Sequence, residues 1–213
     1  MTFQRSIKRS VLISFSALML GCAQHKSMDM YNTSIQSDVP NAGLSKVPLN
    51  VGDVFTYDNP VERWEVAGIA GQSVQWRSPV GDYKGTGWST LLPKLRWSNS
   101  ATEGTRTLDN IVGSLHPLEK GKQMSFIENT VYSRPGSTSA SRWSCEVVGQ
   151  ATIVVVAGKS DTWLVLCKVD GEERVLFNYA ENIGNIVRAI YIKNDGTQVV
   201  RQLTAYTRGP KTN

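Results

Sequence analysis

The chain has 213 residues and a formal charge of +5, yet Arg5, Lys8 and Arg9 supply three of those charges within the first 21 residues, and the remainder carries only +2. With no Lys/Arg cluster longer than a pair in that remainder, the sequence lacks the electrostatic footprint of a DNA- or RNA-binding protein. About 190 residues beyond the leader suffice for one sizeable domain.

In chain order, the three basic residues precede an apolar run at 11–20. That run has the length of a signal-peptide core and is too short to span a bilayer. Met19, Leu20, Gly21 and Cys22 follow directly. These four residues resemble the lipobox of bacterial lipoproteins. The resemblance implies diacylation of the Cys22 thiol, cleavage after Gly21 and acylation of the new amino group. Each buried methylene contributes about 0.8 kcal/mol, so three acyl chains would anchor the protein stably. Ala23 stands where an Asp often retains such proteins at the inner membrane. The resemblance therefore implies the outer membrane, periplasmic face.

Residues 22–49 are small and polar, with Ser27, Asn32, Ser34, Ser37, Asn41 and Ser45 and prolines at 40 and 48. They read as a lipidated tether which, as a flexible coil of about 25 residues, would span about 25 to 30 Å. The expected organisation is a signal peptide at 1–21, the tether at 22–49 and a single β domain at 50–208.

Short runs rich in β-branched and aromatic residues occur at 54–57, 63–67, 73–77, 124–129, 142–148, 152–156, 162–169, 175–179, 186–192 and 198–206. Turn residues separate them, including Asp170-Gly171 and Asn194-Asp195-Gly196, the strongest local hairpin signals. The spacing predicts an all-β fold: an antiparallel meander forming a barrel or strongly curved sheet, with at most one or two short helices. One helix is expected at 107–115, where Leu108, Ile111, Val112 and Leu115 fall at i, i+3, i+4 and i+7 behind a Thr107 cap. A faint repeat links Gly52, Phe55, Tyr57, Arg63-Trp64, Val66 and Gly68 with Gly121, Met124, Phe126, Arg142-Trp143, Val147 and Gly149. The Ala157-Gly158 turn and the strand start at Gly184, Val187 and Arg188 are loosely similar to periplasmic all-β domains of unknown function, a resemblance that carries no activity.

With Cys22 taken by lipid, Cys145 and Cys167 remain as an even pair in an exported, oxidising setting. Trp143, Cys145 and Val147 share one strand face, as do Trp163, Val165 and Cys167. Direct antiparallel pairing puts 145 opposite 167 and 147 opposite 165, which permits a disulfide. An intervening strand at 152–156 would hold the cysteines about 9.6 Å apart, too far for the bond. Direct pairing is expected, with residues 150–161 folded over as an extended connection.

Catalytic chemistry has thin support. His25 lies in the tether, His116 precedes a proline, and no G-x-S-x-G elbow surrounds a serine. Glu172 and Glu173 are neighbours on a strand and point to opposite faces, so they cannot flank one glycosidic bond. No metal-ligand spacing, phosphate loop or cofactor motif is present. Six tryptophans stand out. Trp88 and Trp97, in a Gly/Ser-rich stretch, are the candidates for exposed ligand stacking, whereas Trp64, Trp143 and Trp163 alternate with apolar residues and read as core. The expectation is a non-catalytic envelope component, structural or binding an envelope protein partner. The alternative is a module that binds glycan, peptidoglycan or an apolar ligand in its β cavity or on exposed Trp residues. A filled interior favours the first and a hollow one the second.

Overall fold

Inward and outward positions alternate along each strand, and that alternation builds the wall of a barrel. The computed structural model describes residues 49–87 and 89–210; the lipobox with Cys22, the tether before residue 49, and Trp88 lie outside them. The strands are β1 (Val54–Tyr57), β2 (Glu62–Ala70), β3 (Ser73–Arg77), β4 (Tyr83–Thr86), β5 (Arg96–Ser98) and β6 (Glu103–Gly113), followed by β7 (Gln123–Arg134), β8 (Ser137–Val155), β9 (Gly158–Val169), β10 (Glu172–Ala180), β11 (Asn185–Ile192) and β12 (Gln198–Thr207). Each pairs antiparallel with its chain neighbours, and β1 pairs with β12, closing a twelve-stranded barrel. The described residues contain no helix.

The hairpin chemistry acts where the sequence places it. At the β9–β10 turn, Asp170 and Gly171 have φ of 52° and 91°, as a type I′ turn requires of both central residues. On β8 and β9, Cys145 opposes Cys167 and Val147 opposes Val165, and the two cysteines form a disulfide.

Two expectations are corrected. Residues 150–161 do not fold over as a connection: β8 runs on to Val155 and β9 starts at Gly158, so one long hairpin continues through a bulge between Val147 and Gly149. The segment 107–115 is not a helix, because 107–113 belong to β6. The register of β6 on β7 shifts between Asp109 and Val112, and Asn110 there has φ of 53°. An extra residue in a strand breaks the two-residue period. Leu108 and Ile111 consequently pack on the same apolar core, and the bulge reproduces the i, i+3 spacing of a helix.

The faint repeat corresponds to two matching backbone corners. Gly52 donates to the Val66 carbonyl at 2.8 Å and Val66 to that of Asp53 at 2.9 Å; Gly121 donates to Val147 at 2.8 Å and Val147 to Lys122 at 2.9 Å. Both glycines have φ of 88°. The Arg-Trp dipeptides are not equivalent, however: Trp64 opposes Phe55, whereas Trp143 opposes Phe126, two residues further along.

Inward side chains form two apolar cores. Met124, Phe126, Cys145, Val147, Val165, Cys167, Phe177 and Tyr179 belong to one, with Leu91, Leu92, Leu115 and Leu118 from loops. Phe55, Tyr57, Val66, Val74, Trp76, Val187 and Leu203 belong to the other, joined by Ile153 and Val155 from the far half of β8. Val66, Val74, Val147, Val165 and Val187 are fully buried, and each such burial contributes about 1.5 to 3 kcal/mol. Exposed outward positions include Arg63, Glu65, Arg77, Ser144, Glu146 and Lys168.

The seam between β1 and β12 is latched by Asp53, which is fully buried. Its carboxylate accepts from Arg208 Nη1 at 3.1 Å, the Gly209 amide at 2.7 Å and the Asn50 amide at 2.9 Å.

Candidate functional site

Eight strands enclose an interior that side chains just fill, and barrel diameter grows with strand number. Twelve strands leave space, and here it is a cavity of about 770 Å³. Residues of both cores line it, including Tyr57 and Trp76 from one and Leu91, Leu92, Phe177 and Ala189 from the other.

The wall is aromatic and charged. Trp64, Trp76, Trp97 and Trp143 line it with Glu62, Lys84, Lys94, Arg106, Glu128 and Arg201. Two ion pairs organise the charges: Arg106 Nε lies 3.0 Å from Glu128 Oε1, and Arg201 Nη2 lies 2.6 Å from Glu62 Oε2. Trp64 Nε1 also donates to Glu62 Oε2 at 2.8 Å, and the Arg201 guanidinium sits 4.2 Å from the centre of the Tyr57 ring. Arg106 is further fixed by donating to Thr130 Oγ1 at 3.0 Å and to the Lys94 carbonyl at 3.2 Å.

The lysines are held differently. Lys84 Nζ lies 4.1 Å from the Trp64 ring centre and 5.0 Å from that of Trp76. Lys94 Nζ lies 4.8 Å from the Trp97 ring, which also carries the Arg106 guanidinium at 5.2 Å. Ring quadrupoles attract cations but replace only part of the lost hydration. Burial accordingly pushes the Lys84 ammonium down to about 7, with Arg201 adding to the effect and Glu62 opposing it. Burial is also the main cause lowering Lys94, and it raises the Tyr57 phenol, whose hydroxyl donates to the Ile186 carbonyl at 3.0 Å.

Four polar atoms of residues that line the cavity have no protein partner and are themselves shut off from its space: Thr90 Oγ1, Glu128 Oε2, Trp143 Nε1 and Arg201 Nε. An unsatisfied buried group costs about 1 to 3 kcal/mol, so these atoms lower the stability of the wall without facing a ligand.

The tryptophans divide differently from the sequence expectation. Trp97, expected outside clear strands and exposed, sits on β5 and is only 4% exposed; it lines the cavity as packed wall, its ring covered by Lys94 and Arg106. Trp64 and Trp143, expected as core, are half-buried and line the same cavity. Trp143 stacks on Phe126 at 6.0 Å between centroids. Trp163 donates to Glu181 at 2.9 Å, away from the cavity. His116 is 5% exposed, its Nε2 3.4 Å from Ser89 Oγ, and burial lowers its pKa to about 4. Neither His116 nor Ser89 lines the cavity.

The charged wall was missed in the sequence, though a signal exists. Glu128 follows Met124 and Phe126 in phase, Glu62 precedes Trp64 and Val66, and Arg201 precedes Leu203. A charged residue on the parity of a core face is the mark of a polar interior.

No protein-family model matches the chain, and no curated protein matches it. Among solved structures, the hypothetical lipoprotein YmcC from Escherichia coli (K12) is similar over 75% of this chain and 85% of its own, with a TM-score of 0.49 and 9% identity. A protein with a YmcC-like fold from Bacteroides fragilis NCTC 9343 is similar over 76% of this chain and 98% of its own, with a TM-score of 0.36 and 12% identity. Likeness at this level transfers no activity, and a functional reading has to come from the cavity.

Proposed function

We propose that the protein is a non-catalytic, lipid-anchored envelope protein that binds a carbohydrate in its barrel cavity. The observation that carries this reading is a half-open cavity whose wall sets the half-buried indoles of Trp64 and Trp143 beside Glu62, Lys84, Arg106 and Arg201. Sugar hydroxyls donate and accept. They suit a wall that carries carboxylate, guanidinium and ammonium groups together, while the C–H face of a sugar ring packs on indole. A purely apolar ligand would strip water from those charges and return no hydrogen bond.

Hydrolysis of the sugar has less support. It needs two carboxyl groups across one bond, one of them a proton donor, whereas Glu62 and Glu128 are each occupied by an arginine and Asp82 is the one cavity carboxylate without an ion pair among the described residues. The hollow interior favours ligand binding over a purely structural part. The location rests on the lipobox resemblance, which implies anchoring at the outer membrane.

Isothermal titration of the full chain with a panel of neutral and acidic oligosaccharides and peptidoglycan fragments tests the proposal. Saturable binding to at least one member, weakened tenfold or more by Trp143→Ala, is the expected result. Absence of binding across the panel would remove the carbohydrate reading.

A further inference from the structure

Arg63 and Asp82, of opposite sign, also line the cavity, and of the six wall charges named above four cancel. Arg106 pairs with Glu128 and Arg201 with Glu62. Lys84 and Lys94 make no ion pair among the described residues and rest against indole rings instead. They lie within electrostatic reach of each other, since Lys94 is among the charges that lower the Lys84 pKa. Glu62 offsets part of their charge from a distance, but two ammonium groups without an ion pair in one half-open cavity repel each other and lose hydration, a cost that an anion between them relieves.

We infer that the ligand of this cavity is an anionic carbohydrate, whose acidic group is received by Lys84 and Lys94 while its ring meets Trp64 and Trp143. The inference rests on the carbohydrate-binding reading above and adds the charge of the ligand. A uronic acid carboxylate and a sugar phosphate share the required chemistry, an anionic oxygen group on a pyranose ring. The arrangement divides the work: the paired arginines and glutamates hold the wall in place, the indoles meet the ring, and the two lysines select for charge. Lys84 responds to pH as well. Below about 7 it carries the proton that attracts the anion, and above that it gives the proton up unless the ligand returns it.

The experiment is isothermal titration of the full chain at pH 6 and pH 8.5 with four probes: trigalacturonic acid and glucose 6-phosphate as anions, galactotriose and glucose as neutral controls. At pH 6 at least one anionic probe binds ten times or more as tightly as its neutral control, and the advantage shrinks toward pH 8.5. Lys84→Met and Lys94→Met each reduce the advantage, and the double variant lowers it below threefold with an unchanged circular-dichroism spectrum. Which anion wins separates carboxylate from phosphate. Neutral probes binding as tightly as anionic ones, or a double variant that keeps the preference, would overturn the anionic ligand and leave carbohydrate binding standing. If no probe binds, both the anionic ligand and the carbohydrate reading fall.

Discussion

Lys84 is the residue at which stability and binding oppose each other. Its ammonium is held down to about 7 against an ordinary value of 10.5, chiefly by burial. Between those values the unfolded chain binds a proton that the folded chain does not, so the Lys84 contribution to stability rises with pH across that window and is at its lowest below 7. Urea denaturation at pH 6.5 and pH 9.5 should therefore show Lys84→Met stabilising the protein at the lower pH and gaining little at the higher. An equal effect of the substitution at both values would contradict the burial account. A lysine that costs stability near neutrality and stands on a cavity wall is understandable as a binding group. At Asp53, by contrast, three donors satisfy the buried side chain.

At the scale of the element, the β8–β9 hairpin ties sequence most directly to structure. The shared parity of Cys145 with Val147 and of Val165 with Cys167 specifies the register, and the barrel uses it. The bridge spans 22 residues, for which the chain-entropy relation gives about 3 kcal/mol of stabilisation. Replacing both cysteines by alanine should cost about that much in denaturant unfolding, and intact mass should rise by about two daltons when the unmodified protein is reduced. An unshifted unfolding midpoint would show that the bridge adds nothing to the hairpin. Strands β1, β2, β3, β7 and β10 to β12, with the disulfide-bearing halves of β8 and β9, were legible because β-branched and aromatic residues alternate within them. β4 and β5 are only 4 and 3 residues long, with Lys84-Gly85 in one and Arg96-Trp97-Ser98 in the other, too short for a period to register. β6 was misread because its bulge imitates helical spacing. The three elements that sequence pattern missed supply Lys84, Trp97 and Arg106. The segment with the least core-like pattern therefore builds much of the cavity wall, as expected where polar function displaces packing.

For the whole molecule, closure comes from the pairing of the first and last strands and hollowness from the number of strands. A meander of twelve strands leaves no free edge once β1 pairs with β12, and its circumference exceeds what side chains can fill. The cores pack where apolar side chains meet, and the remaining space is left to the cavity between their members. How such a barrel reaches its ligand depends on where it is held. Cys22→Ser should remove the protein from the outer-membrane fraction on sucrose-gradient separation; continued sedimentation with outer membrane would contradict lipid anchoring at that residue. The most direct test of the central claim is a crystal structure of the protein soaked with the tightest-binding oligosaccharide. The account predicts a sugar inside the barrel, with its ring against Trp64 and Trp143 and its acidic group between Lys84 and Lys94. A sugar bound on the outer wall, with the cavity holding only water, would contradict it.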